Sequence, residues 1–165
     1  MGVVNGPKYL GPVGNFPMFR SHYKSLLSKE DYNKAEILEF SEGIKNSCLK
    51  VEYKNGITTL LVHLSLDEDD REIQLEELIC MVGGCDTPVV LMGDFNTEGT
   101  YHRMGDLETH SGLTRLELGP TFPSYKPERS IDHFFISEGL DVKEAKVLPV
   151  HYSDHLPVYV ELDLQ

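Results

Sequence analysis

A strand–helix–strand pattern between residues 57 and 92 constrains the fold of this chain more than any other feature. Residues 57–64 and 88–92 are apolar runs of strand length. Residues 67–82 lie between them, with acidic side chains at the start and a helical stripe of apolar ones: Leu75, Leu78, Ile79 and Val82. Gly83-Gly84 then ends the predicted helix. Two strands joined through a helix can share one sheet.

Several further strands are predicted on either side of this unit. They cover residues 35–40, 48–53, 114–118, 131–136, 142–148 and 156–162, with a short helix over 104–110. Asn55-Gly56 predicts a type I′ hairpin turn after the second of these strands. Residues 19–29 fit either a short helix or a turn leading into a strand. Many strands and few helices indicate a single α+β domain over residues 1–165.

Proline and glycine are concentrated near the N-terminus, so we expect residues 1–25 to form an irregular segment. No apolar run is long enough to span a membrane, and there is no signal-peptide pattern, so we expect a cytoplasmic protein. Three cysteines do not make a disulfide framework. The formal net charge of −12 makes a long nucleic-acid duplex an improbable partner but is compatible with a divalent cation.

Polar clusters occur where the predicted apolar strands begin or end. If the strands lie side by side, these clusters can converge at one sheet edge, as metal-assisted hydrolysis requires. A core histidine or a turn carboxylate is the competing interpretation for each residue taken singly. At the 93–96 cluster, an extended chain would project the side chains of residues 94 and 96 to the same side. The clusters contain His63, Asp94, Asn96, Asp132, His133, Asp154 and His155.

Three of these segments together resemble the endonuclease/exonuclease/phosphatase superfamily, which includes deoxyribonuclease I. The segments are Gly93-Asp94-Phe95-Asn96, Ser130-Ile131-Asp132-His133 and Ser153-Asp154-His155-Leu156-Pro157-Val158. The resemblance extends from about Leu26 to the C-terminus. It implies a deoxyribonuclease I-like sandwich of two β-sheets flanked by helices, and a nuclease, phosphodiesterase or phosphatase activity.

The resemblance also implies a role for each matched residue. His155 would be the general base that activates water, and Asp132 would orient it. Asp94 would position the water or stabilise the leaving group, while Asn96 would contact the scissile phosphate. Asp154 would help to bind Mg²⁺ or Mn²⁺. His63 would lie against the phosphate or the leaving oxygen.

Two features of the family are missing from this sequence: a first strand carrying an asparagine and a second strand ending in a metal-binding glutamate. The resemblance therefore predicts an N-terminally truncated fold and weak Mg²⁺ binding, because lost ligand charge weakens a hard-cation site. Two hypotheses follow, a phosphoester hydrolase and a catalytically impaired homologue acting as a binding or interaction module. Missing strands would leave apolar surface uncovered, which predicts either a homodimer or a fold-over of residues 1–30.

Overall fold

The computed structural model describes residues 2–15 and 23–165, and these form strands β1–β10 and helices α1–α3. In chain order the elements are β1 (Gly2–Pro7), α1 (Gly11–Gly14), β2 (Tyr23–Ser28), β3 (Tyr32–Glu39), β4 (Ser47–Tyr53), β5 (Thr58–His63), α2 (Glu68–Gly83), β6 (Val89–Asp94), α3 (His102–Ser111), β7 (Thr114–Arg115), β8 (Asp132–Ile136), β9 (Leu140–Val147) and β10 (Val158–Leu164). In this part of the chain, no helix has both the length and the apolar character that a membrane crossing needs.

A six-stranded mixed sheet, in the order β3-β4-β5-β6-β8-β7, forms the centre of the fold. Strands β5 and β6 are neighbours in this sheet, as the strand–helix–strand pattern predicts, and their pairing is parallel, while β6 pairs antiparallel with β8. Helix α2 begins after Asp67, whose carboxylate accepts hydrogen bonds from the backbone N–H groups of Asp69 and Asp70. It ends at Gly83, so the prediction of a helix over residues 67–82 is correct to within one residue at each end.

The central sheet has two different faces because side chains alternate along each strand. On β6, Val89 and Leu91 join the core under α2 and α3, whereas Val90 and Met92 face the other side. There they pack with residues of β8–β10, including Leu140 and Leu162. The α+β class and the deoxyribonuclease I-like arrangement predicted from the sequence are confirmed.

Strands β1 and β2 form a separate antiparallel hairpin on the face of the sheet that lacks the helices. A Cβ atom added at Gly6 would overlap the side chain of Ile37 and touch Leu49, which shows how closely β1 approaches β3 and β4. Ser47 donates a side-chain hydrogen bond to the carbonyl oxygen of Pro7 at 2.6 Å. Lys24 donates one to the carbonyl oxygen of Ser47.

The prediction of an irregular segment over residues 1–25 is therefore wrong for much of its described part. Strand β1 and the first residues of β2 are regular structure, since the backbone pairing of the hairpin outweighs the local preference of Gly2, Gly6 and Pro7. For residues 19–29, the structure shows the strand alternative from Tyr23 onward. Residues 19–22 lie outside the described residues.

The hairpin between β4 and β5 is confirmed, but its turn type is not the predicted one. A type I′ turn needs positive φ at both central residues, and only Gly56 has it, at 85°. The Gly56 N–H donates to the carbonyl oxygen of Tyr53 at 3.1 Å, which places Lys54 and Asn55 at the centre of the turn. This is the three-residue connection in which a glycine with positive φ follows the turn.

Candidate functional site

Three of the predicted side chains meet where β6 and β8 lie next to each other. Asp94 is the last residue of β6 and is directly opposite Asp132, the first residue of β8. His155 reaches them from the loop before β10. One potential ligand atom from each of the three lies within 4.8 Å of the other two, so the group has the dimensions of a metal site.

Asp132 orients His155. The Nδ1 atom of His155 lies 2.7 Å from Oδ2 of Asp132, and the buried Thr121 hydroxyl donates to the same oxygen. An ionised carboxylate only accepts hydrogen bonds, so Nδ1 donates to it, and in the neutral imidazole the lone pair is then on Nε2. The imidazole also lies against the ring of Phe122, with 4.8 Å between the ring centroids. His155 is thus held in the tautomer that can accept a proton from water.

Residues 121–129 are tied to the segment that carries His155. The Leu156 N–H donates to the carbonyl oxygen of Thr121, and the Ser124 N–H donates to that of Asp154, at 2.8 Å and 2.7 Å. The Ser124 hydroxyl donates to the carbonyl oxygen of Ser153 at 2.6 Å. The geometry of His155 therefore depends on two loops that are hydrogen-bonded to each other.

Asp94 and Asn96 are brought together by a turn and not by the extended geometry that the sequence predicts. The backbone N–H of Asn96 donates to Oδ1 of Asp94 at 2.9 Å, and Asn96 has a φ of 53°. Its side-chain amide donates to the carbonyl oxygen of Leu64 at 2.7 Å. The left-handed backbone of Asn96 is stabilised by these two bonds, because the side chain fastens the turn to the end of β5.

Gly93 allows β6 to continue up to Asp94. Its φ is 140°, and an added Cβ would overlap the carbonyl oxygen of Val62 on the neighbouring strand. Burial raises the pKa of the Asp94 carboxyl, and nearby Asp132 raises it further. This desolvated carboxylate is a group that a bound cation would stabilise.

His63 lies next to Asp94 but is also in contact with a lysine. Its Nε2 atom is 3.3 Å from Oδ2 of Asp94 and is hydrogen-bonded to the ammonium group of Lys45. Burial, together with the charge of Lys45, lowers the pKa of His63 to about 3, so His63 is neutral at pH 7. A neutral imidazole bound to an ammonium group accepts the hydrogen bond through Nε2.

Asp154 and His133, two further members of the predicted clusters, lie outside the three-residue group. Asp154 is exposed, and the Ser153 hydroxyl donates to its Oδ1 at 2.9 Å, a hydrogen bond that lowers the pKa of Asp154. His133 is 3% exposed and its Nε2 atom lies 2.9 Å from the carbonyl oxygen of Thr97. His133 is therefore a hydrogen-bonded core residue.

Sequence reasoning did not single out three lysines that lie close to this group: Lys8, Lys24 and Lys45. Burial lowers the pKa of all three, and the charge of Lys8 lowers the pKa of Lys24 and Lys45 further. The nearby Asp94 carboxylate opposes this shift at Lys8 and Lys45. They come from the loop after β1, from β2 and from the segment before β4, so no local motif connects them. The pairing of β1 with β2, and the docking of this hairpin on β4, are what bring them together.

Comparisons with known proteins agree with this architecture. A structure of a functionally unknown conserved protein from Enterococcus faecalis V583 has a TM-score of 0.78 and 16% identity, over 99% of this chain and 77% of that one. A mannosyl-6-phosphatase from Bacteroides thetaiotaomicron VPI-5482 has a TM-score of 0.68 and 20% identity, and the match covers 85% of this chain and 70% of that one. The human Nocturnin catalytic domain, solved with a bound sulfate anion, has a TM-score of 0.69 and 16% identity, and the match covers 99% of this chain and 72% of that one.

At these identities the structural matches establish the fold alone. The search of curated proteins found no match. A sequence model described as the Endonuclease/Exonuclease/phosphatase family matches residues 11–155, which is most of the chain and includes Asp94, Asp132 and His155. The chain therefore belongs to the endonuclease/exonuclease/phosphatase family.

Proposed function

We propose that this protein hydrolyses phosphoester bonds with the help of Mg²⁺ or Mn²⁺, and that His155 activates the attacking water. The observation that carries the proposal is the 2.7 Å contact between His155 and Asp132, next to Asp94, in a chain of this family. An imidazole with a free Nε2, oriented by a carboxylate, is suited to removing a proton from water.

In the proposed reaction, Nε2 of His155 takes a proton from water as the water oxygen attacks phosphorus. Asp132 stabilises the imidazolium that forms, because its carboxylate already accepts the Nδ1 hydrogen bond. The phosphorus–oxygen bond to the leaving alcohol breaks and its electron pair stays with that oxygen, which then takes up a proton. Asp94 positions the water or the leaving group, Asn96 contacts the phosphate, and His63 lies against a phosphate oxygen or the leaving oxygen.

The residues present fit a hard divalent cation. Asp94 and Asp132 offer carboxylate oxygens, the ligand type that Mg²⁺ prefers, and the exposed Asp154 is the further ligand that we propose. When bound, such an ion supplies neutralisation of the phosphoryl oxygens. We assign His155 to proton transfer and not to the metal, because its Nδ1 is already bonded to Asp132.

Hydrolysis of bis(4-nitrophenyl) phosphate tests the proposal. We expect turnover that needs Mg²⁺ or Mn²⁺, disappears with EDTA, and falls by about 100-fold or more in His155→Ala, as general-base catalysis implies. His151→Ala is the matched control, because His151 is an exposed histidine of the same loop and is expected to leave the rate unchanged. Full activity in His155→Ala would refute the assigned base.

A non-catalytic binding module is the second candidate, and the lysines near Asp94 favour it. Positive charge at Lys8 and Lys45 opposes a divalent cation at this carboxylate. No metal-dependent turnover in the parent protein, combined with retained binding of phosphate esters, would support this candidate. The proposed ligand in both cases is a phosphoester: a small phosphodiester, a lipid head group or a short nucleic acid. The homodimer remains a prediction that light scattering can test.

A further inference from the structure

Lys8, Lys24 and Lys45 form a cluster of positive charge next to the Asp94–Asp132–His155 group. Lys45 contacts His63, which lies 3.3 Å from Asp94. Lys8 directly follows Pro7, whose carbonyl oxygen accepts a hydrogen bond from Ser47, two residues after Lys45. Burial lowers the pKa of Lys8, and the charge of Asp94 opposes that shift. Lys24 donates to the carbonyl oxygen of Ser47. Burial lowers the pKa of Lys24 to about 8, and the charges of Lys8 and Lys45 add to that shift. The three ammonium groups therefore share one region on the β1–β2 side of the site.

These cations have no carboxylate partner among residues 2–15 and 23–165. No Asp or Glu oxygen in those ranges lies within 4.0 Å of any of the three ammonium groups, although many other lysines of this acidic protein are paired. Lys24 is only 6% exposed, and its hydrogen bond goes to the neutral carbonyl oxygen of Ser47. Partly buried positive charges without a counter-ion are costly, so a bound anion would stabilise them.

We propose that Lys8, Lys24 and Lys45 form a subsite for a second phosphate group of the substrate, next to the phosphate that is hydrolysed. This inference rests on the proposed function, since it places the reacting phosphate at Asp94 and His155. Lysine ammonium groups bind phosphate as point charges and can each donate several hydrogen bonds. The subsite would thus select substrates in which two phosphate groups lie close together.

A large cavity next to Lys45 extends the inference to the rest of the substrate. Its volume is about 610 Å³. Tyr9, Ile44, Lys45 and the exposed Leu66 line it together with acidic residues from the start of α2, which are Asp67, Asp69 and Asp70. Lys45 thus lies between the hydrolytic group and a pocket with both apolar and acidic walls. A ring or sugar that connects the two phosphates could occupy this pocket while Lys45 holds the second phosphate. The substrate class is a small bisphosphorylated ester.

Calorimetric titration with inorganic pyrophosphate, in EDTA and without added metal, tests the subsite independently of turnover. We expect the parent protein to bind pyrophosphate more tightly than inorganic phosphate, and Lys45→Gln and Lys8→Gln each to bind pyrophosphate about tenfold or more weakly. Lys45→Arg is expected to retain binding because it keeps the charge. The matched control is Lys143→Gln, which removes a lysine of β9 that pairs with Asp163 at 3.2 Å, and it is expected to change nothing.

The outcomes separate this inference from the proposed function. Lysine-dependent pyrophosphate binding without hydrolysis of the aryl diester supports the subsite and contradicts the hydrolase. Hydrolysis combined with equal pyrophosphate affinity in the parent, Lys8→Gln and Lys45→Gln overturns the subsite alone. No pyrophosphate binding by the parent overturns it as well. If circular dichroism shows that Lys45→Gln does not fold, Lys8→Gln decides, because it changes a half-buried residue beyond the end of β1.

Discussion

Gly93→Ala is expected to destabilise the protein strongly, because two separate penalties act at this position. A φ of 140° is unfavourable for alanine, and strained backbone of this kind costs about 1–3 kcal/mol. The added Cβ would also overlap the carbonyl oxygen of Val62, and overpacking costs about 1–3 kcal/mol. Together they predict a loss of about 2–6 kcal/mol from a folding free energy that is typically about 5–15 kcal/mol.

Urea unfolding followed by circular dichroism measures this loss. With a slope of about 2 kcal/mol per molar urea, the midpoint should fall by about 1–3 M. Gly105→Ala is the matched control, because Gly105 lies inside α3, lacks positive φ and has open space around its added Cβ. It should raise stability by up to about 1 kcal/mol. An unchanged midpoint in Gly93→Ala would refute the argument from backbone geometry.

Two further predictions concern the site. Asp132→Asn should lower kcat by a factor of about 10²–10⁴ with little change in KM, because the amide no longer fixes the tautomer of His155. Steady-state kinetics measures both constants, and an unchanged kcat would contradict the role assigned to the His155–Asp132 pair. The free energy of unfolding should fall as the pH drops from about 6.5 towards 3, by up to about 1.4 kcal/mol per pH unit. The reason is that the unfolded chain binds a proton at His63 in this range and the folded protein does not. Urea midpoints at several pH values should show a shallower decline in His63→Gln, and identical slopes would contradict the neutral state of His63.

The elements that could be predicted well from the sequence are those whose defining residues lie close together along the chain. Helix α2 has its capping Asp67, its apolar stripe and its terminal Gly83 within one window of the sequence. The parallel pairing of β5 with β6 follows from that helix. The meeting of Asp94, Asp132 and His155 was also predictable, because Asp94 ends β6, Asp132 begins β8 and His155 precedes β10, so neighbouring strands can bring them together.

The remaining features depend on long-range contacts. Strand β1 is rich in glycine, and only its pairing with β2 and its packing against Ile37 and Leu49 make it regular. The lysine cluster follows from the same docking, since Lys8 and Lys45 are far apart in sequence. The turn at Asn96, by contrast, was mispredicted because of a contact between residues close in sequence. A hydrogen bond to the adjacent Asp94 overrides the extended conformation that a strand end suggests.

The hydrogen bonds between residues 121–129 and 153–156 have a consequence for how this scaffold can be redesigned. Any insertion in the first segment would pull on Thr121 and Ser124, and through them on His155, so a change meant to alter selectivity would also alter the rate. The cavity walls at Ile44 and Leu66 carry no such linkage through their exposed side chains. A library that aims at new substrates should therefore diversify those walls and leave the 121–129 segment intact.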